Sequence, residues 1–181
     1  MGSRLPIEIT DANPAAMIAL WDALCEDALI ADLPYKVETN ERGQLLMSPT
    51  STPHSVWQAE VAYNLRIAVD QAGLGGKVLT ESAVLTTRGI RVPDVAWMSD
   101  DAWRARTDEK LLLVAPTVCV EVMSPSNSRD EMADKTALYL ACGAAEVWIL
   151  DAAGKMSFFD ANGLRARSGV VPGYPVADSN S

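Results

Sequence analysis

The chain has 181 residues, 49% of them apolar, and a formal net charge of −9, enough for one substantial core but at odds with a broad basic surface for phosphate neutralisation. No stretch nears the roughly 20 consecutive apolar residues of a membrane span, and Met1 to Ile9 lacks the apolar run of a signal peptide, so a cytoplasmic protein without membrane contact is expected. Cys25, Cys119 and Cys142 are odd in number, widely spaced and set among apolar residues, which argues against a disulfide framework or a zinc pair.

Asn13 followed by Pro14 marks a helix start, and Met17, Leu20, Trp21, Leu24 and Leu29 recur at helical spacing to about Ile30. Tyr35 to Thr39 and Gln44 to Ser48 flank Asn40 and Gly43 as a hairpin. Thr52 with Pro53 opens a second helix, carried by Val56, Val61, Leu65 and Ala68 and stopped by Gly73 and the Gly75–Gly76 pair. Strand-like runs follow at Lys77 to Thr80, Ala83 to Thr86, and Arg91 to Met98 with Pro93 interrupting, which suggests a strand start or an edge. Ser99 and Asp100 can cap a short helix through Arg106, and Thr117 to Met123 is the strongest strand of the sequence. Ser128, three residues before Glu131, has capping-box spacing for a helix to Cys142 and Gly143. Glu146 to Leu150 is a second buried strand, Lys155 to Phe159 and Leu164 onward flank the turn at Asn162–Gly163, and a loose tail is expected from Ser168 to Ser181. This order implies an α/β fold: a mixed central β-sheet flanked by helices, in a single domain. Residues 1–34 form an N-terminal helical extension in this reading, 35–167 the core and 168–181 a flexible tail.

Within TVCVEVM, strand alternation turns Cys119, Glu121 and Met123 to one face and the valines to the other. An ionised Glu121 buried there needs a lysine, a metal ion or a proton. From Glu121 to Pro125 the extended chain travels ~13 Å, and from Ser128 to Lys135 a helix returns ~10 Å, which brings Lys135 level with Glu121. Met132, Lys135, Thr136 and Tyr139 share one helical face, while Ala133, Ala137 and Leu140 form a competing apolar stripe, so the spacing leaves open which face packs inward. Asp94, after Pro93 and heading Val95–Met98, supplies a second acid. Two carboxylates with waters make a hard oxygen site suited to Mg2+, with Mn2+ as an alternative. A nearby lysine could orient or help deprotonate an attacking water.

A Pro-Asp, a second acid in a strand and a neighbouring lysine resemble the PD-(D/E)XK nuclease superfamily. More narrowly, PDVAWMS, VCVEVMSPSNSRDEMADKTALYLACGAAEVWILD and the upstream YKVE, QLLMSP and PHSVWQAEV resemble the Uma-two family of restriction-endonuclease type over roughly Tyr35 to Asp160. The resemblance implies a restriction-endonuclease-like fold, a homodimer, DNA as substrate, and Asp94, Glu121 and Lys135 as catalytic residues. In the superfamily's simplest pattern a lysine stands two residues after the second acid, where this chain has Met123; in the Uma-two type a lysine on the following helix substitutes, and Lys135 matches it. A further acid is expected upstream, and two candidates match motif positions: Glu60, which resembles the helix acid of many superfamily members and is slightly favoured as a metal ligand beside Asp94 and Glu121, and Glu38 of YKVE, which resembles the early acid of the Uma-two pattern; Tyr139 stands in support.

His54, the sole histidine, reads first as a surface or capping residue, Tyr139 as a packing residue, and Ser124, Ser126 and Ser128 as loop and cap residues. The leading expectation is a metal-dependent DNA endonuclease. Two others stand beside it: a catalytically silent interaction module on the same fold, and a hydrolase of a small nucleotide-like substrate, for which an acidic surface is less of a handicap.

Overall fold

The computed structural model describes residues 13–175 apart from 109 and 126. In chain order the elements are α1 (Pro14–Glu26), α2 (Ala28–Ala31), β1 (Tyr35–Thr39), β2 (Leu45–Pro49), α3 (Thr52–Gln71), β3 (Lys77–Thr80), β4 (Val84–Thr86) and β5 (Gly89–Arg91). They continue with β6 (Val95–Met98), α4 (Asp100–Ala105), β7 (Val118–Val122), α5 (Arg129–Ala141), β8 (Glu146–Leu150), β9 (Met156–Asp160) and β10 (Gly163–Arg165). None of the described helices is long and apolar enough to cross a membrane.

Six strands form one mixed sheet in the order β10-β9-β8-β7-β6-β3. Its interior strands β7 and β8 are parallel and the other pairs antiparallel. Parallel neighbours need a crossover, and α5 supplies it. Val118, Val120 and Val122 pack with Val61, Leu65, Ala68 and Val69 of α3 on one face. Cys119 packs with Met132 and Tyr139 of α5 on the other. The expected mixed α/β sheet flanked by helices is therefore present, and the face of α5 that the spacing left open is settled: Met132, Thr136 and Tyr139 are buried, whereas Ala133 and Ala137 are exposed.

Two small antiparallel ribbons, β1–β2 and β4–β5, stand apart from this sheet. They meet where Gly89, at φ 100°, lies so close to Thr39 and Asn40 that a Cβ would fall 2.3 Å from the Thr39 carbonyl oxygen. Only glycine combines that angle with that approach. Thr39 Oγ1 accepts the Ile90 N–H at 2.9 Å, so the two ribbons are locked together. The expected run from Arg91 to Met98 is two strands. β5 ends at Arg91 and β6 starts at Val95, because Pro93 has no N–H for a ladder, and Pro93 and Asp94 fall in the gap.

The segment from Ser168 is not loose along its whole length. Ser168, Val171 and Tyr174 are buried, and residues 176–181 lie outside the described residues. The buried Glu146 carboxylate holds this segment by accepting from Ser168 Oγ at 2.6 Å, Gly169 N at 2.7 Å and Val170 N at 3.2 Å. It also accepts from Trp148 Nε1 at 2.8 Å, while Tyr174 packs on the Trp148 ring, centroids 4.6 Å apart. Replacing Glu146 by Ala removes the acceptor of two buried donors, Trp148 Nε1 and Ser168 Oγ, and of the Gly169 N–H, and should cost about 2 to 4 kcal/mol. Urea unfolding measures that loss, and limited proteolysis should show new cleavage beyond residue 167; unchanged stability would mean that this carboxylate does not anchor the segment.

Candidate functional site

The register of the central strands builds the site. Val95 of β6 pairs with Val120 of β7, so the next step along the two chains sets Asp94 opposite Glu121. Asp94 Oδ2 accepts the Val122 N–H at 2.7 Å, which fixes the carboxyl across the strand pair. Strand alternation keeps Glu121 on the α5 face, where it is 2% exposed. Two residues of α5, one turn apart, meet it: the Tyr139 hydroxyl donates to Oε1 at 2.8 Å and Lys135 Nζ to Oε2 at 3.2 Å.

A second pair of charges comes from β1. Lys36 and Glu38, two residues apart, point the same way. Lys36 Nζ donates to Asp94 Oδ1 at 2.6 Å and lies 3.8 Å from Glu121 Oε2. Glu38 accepts the Val92 N–H at 2.8 Å and sits 3.6 Å from Lys135 Nζ and 3.9 Å from Arg91 Nη1. The inward face of α3 adds two groups a turn apart. His54 Nε2 is 3.2 Å from Asp94 Oδ1, and Gln58 Nε2 donates to the Asp94 carbonyl at 2.9 Å. Lys36, Glu38, His54, Asp94, Glu121 and Lys135 line a cleft of about 480 Å³ together with Ser48, Thr50, Ser51, Ser124 and Asn127. Glu81, also on its wall, has φ 51°, a conformation seldom taken by a residue with a side chain.

The environments of the two acids diverge. Burial pushes the Asp94 carboxyl up, but the His54 hydrogen bond, Lys36 and the Val122 N–H outweigh it and hold it well below the usual carboxylate range. For Glu121, burial dominates and raises the carboxyl despite Lys36 and Lys135. Burial also opposes charge on both lysines, yet the acids around them win: Glu121, Asp94 and Glu38 lift Lys36 above its ordinary value, and Glu121 and Glu38 lift Lys135. Both ammoniums are therefore charged at neutral pH. Burial raises the Tyr139 hydroxyl far out of reach, which leaves it a hydrogen-bond donor.

Of the residues expected from the sequence, Asp94, Glu121, Lys135, Glu38 and Tyr139 converge. Glu60 does not: it is exposed and is not among the residues lining the cleft. The inward phase of α3 is set by His54, Gln58, Val61 and Leu65, and Glu60 lies two residues, about 200° of helical turn, past Gln58. Lys36 and His54 were not expected. Lys36 lies 58 residues from its partner Asp94, and no local spacing carries such a contact; the one available signal was its position two residues before Glu38.

Among the described residues no three His, Cys, Asp or Glu side chains are grouped as a metal cage. Mg2+ commonly uses one or two carboxylates and retains waters, and Asp94 Oδ1 and Glu121 Oε2 already converge on one cation, the Lys36 ammonium. The donor pair fits a hard divalent ion on that ground.

The profile of the Uma2 family, described as "Putative restriction endonuclease", matches residues 27–162. The fold is shared with a "putative nuclease belonging to DUF820" from Anabaena variabilis ATCC 29413, with a TM-score of 0.58 at 18% identity. That alignment covers 75% of this chain and 83% of the other. No curated protein matches the chain.

The hydrogen bond to Asp94 raises the His54 ring above its ordinary value of 6.5, with burial working against it. A raised folded-state value means that the ring's contribution to stability is complete below the unfolded value and is lost as pH rises through the folded one. In metal-free buffer the difference in Tm between wild type and His54→Gln should thus be widest below about pH 6.5 and close at higher pH. A Tm difference that stays constant from acid to alkaline buffer would rule out a charged His54 paired with Asp94.

Proposed function

We propose that this chain, which belongs to the Uma2 family, is a nuclease that hydrolyses phosphodiester bonds in DNA with a divalent cation, Mg2+ or Mn2+, held by Asp94 and Glu121. The observation that carries the reading is the convergence of two buried carboxylates, Glu121 in β7 and Asp94 just ahead of the adjacent β6, with the Lys135 ammonium, 3.2 Å from Glu121 Oε2, in an open polar cleft. Acids and a cation so arranged, with shifted titration, are the ordinary marks of a site rather than of a fold's scaffold.

When bound, the cation would polarise a phosphate oxygen and lower the pKa of a coordinated water. The protein's own groups prepare the rest. Tyr139 and the Val122 N–H fix one oxygen of each acid, so the remaining two face the cleft. Lys135 stays charged, which suits it to stabilising negative charge on the phosphate in the transition state rather than to taking a proton. Glu38, held by the Val92 N–H, gives Lys135 a second carboxylate partner besides Glu121. The −9 net charge leaves DNA binding to local cations of the cleft, so activity should fall as salt rises.

A silent module is the second reading, favoured by one feature: Lys36 and Lys135 already balance Asp94 and Glu121, as in a purely structural ion network. Metal titration separates the two. The proposal also includes a homodimer, supported by exposed apolar residues on β2 and α3: Met47, Val56, Trp57 and Tyr63. The three free cysteines accord with the reducing cytoplasm.

On supercoiled plasmid the wild type should nick in Mg2+ or Mn2+ and not in chelator. Asp94→Asn, Glu121→Gln and Lys135→Met should each lower the rate by about a hundredfold or more with unchanged circular dichroism. Cleavage retained by all three would assign the activity elsewhere. Light scattering should give twice the 19.4 kDa chain mass; a monomer would remove the dimer from the reading.

A further inference from the structure

Each of the two site acids has one oxygen engaged by a fixed donor: Asp94 Oδ2 by the Val122 N–H and Glu121 Oε1 by the Tyr139 hydroxyl. The other two oxygens, Asp94 Oδ1 and Glu121 Oε2, both face Lys36 Nζ, at 2.6 and 3.8 Å; His54 Nε2 flanks the first at 3.2 Å and Lys135 Nζ the second at 3.2 Å, so Lys36 alone spans the pair. The position that a shared cation would take is thus bridged by an ammonium from β1.

Lys36 can leave without losing its proton. Its stem is four carbons long and flexible, and the residue also lines a second, largely apolar cavity of about 340 Å³ beside the cleft, shared with Trp21, Leu24, Val37 and Val92. Glu81 lies on the walls of both and offers a carboxylate at the boundary. The carrier strand is hydrogen-bonded to β2 and not to the six-stranded sheet, so withdrawal of Lys36 disturbs no ladder of the sheet that holds the acids.

We propose that Lys36 is a resident counter-ion between Asp94 and Glu121, and that a divalent cation binds there by displacing it. The proposal rests on the assignment of those two acids as the cation site. Lys36 is then a positioning residue: it holds the acid pair aligned before the cation arrives, and it sets the cation affinity, because binding requires the state in which its ammonium has left. Where that state is a minor one, the apparent affinity is reduced by its fraction.

The test is calorimetric titration of Mg2+ and Mn2+ into wild type, Lys36→Met, Lys36→Gln, Lys36→Arg and Glu121→Gln, together with thermal denaturation in chelator and in cation. Lys36→Met and Lys36→Gln should bind the cation about tenfold or more tightly than wild type. Their Tm should fall in chelator and recover when cation is added. Lys36→Arg, which keeps the charge, should bind no more tightly than wild type, and Glu121→Gln should bind poorly. The glutamine variant retains a donor for Asp94 and stands in if the methionine variant does not fold. Binding by wild type with equal or weaker binding by both neutral variants overturns the counter-ion while leaving the cation site in place. Absence of binding by wild type and by every variant overturns the cation site, and this proposal with it.

Discussion

A carboxylate in the middle of an apolar central strand has to be answered by other groups, and much of the architecture can be followed from that requirement at Glu121. Its strand runs parallel to β8, so the chain must return across the sheet. The returning helix α5 carries a hydroxyl at Tyr139 and an ammonium at Lys135 to the two oxygens of the acid. The antiparallel neighbour β6 sets Asp94 alongside, and that second acid in turn draws Lys36 from β1 and His54 from α3. Four of the elements that reach the cleft, β1, α3, β7 and α5, each bring a group to one of the two acids. No buried side-chain nitrogen or oxygen among the described residues lacks a hydrogen-bond partner, which is the condition for holding so many polar groups in a core.

What could be read from the sequence follows the range of the forces involved. Glu121 stood out because an ionisable residue interrupts a β-branched run, and Lys135 followed from the rise of one strand and one helix. Both inferences use distances along the chain. Lys36 and His54 join the site through contacts made only when the ribbon and α3 fold over the sheet, and nothing within a few residues of either announces it. Glu60 failed for a related reason: a motif gives a residue's place along a helix but not the helix's rotation about its own axis, which the buried stripe Val61, Leu65, Ala68 and Val69 decides. Glu146 carried a signal related to that of Glu121, an acid within a buried strand, here at its head, and its partners come from a segment whose composition reads as loose.

The two acids illustrate how one small site can hold carboxylates of different character. Asp94 is surrounded by donors and stays ionised over the working range, whereas the burial of Glu121 keeps its proton affinity elevated. Pairs pushed apart in this way can divide labour: a fixed charge on one side, a group sensitive to its surroundings on the other. In a protein with an acidic surface, the nearby lysines also give a phosphate a local region of positive potential to enter.

The ribbon that delivers Lys36 and Glu38 has a further implication for how such a site could change over generations. The two residues are opposite in sign and sit on one face of a strand outside the main sheet. Exchanging or losing the ribbon would remove a positive and a negative charge together and leave the electrostatic sum of the remaining cluster unaltered. A lineage that remodels this corner would therefore alter what enters the cleft without changing the net charge of the groups that remain.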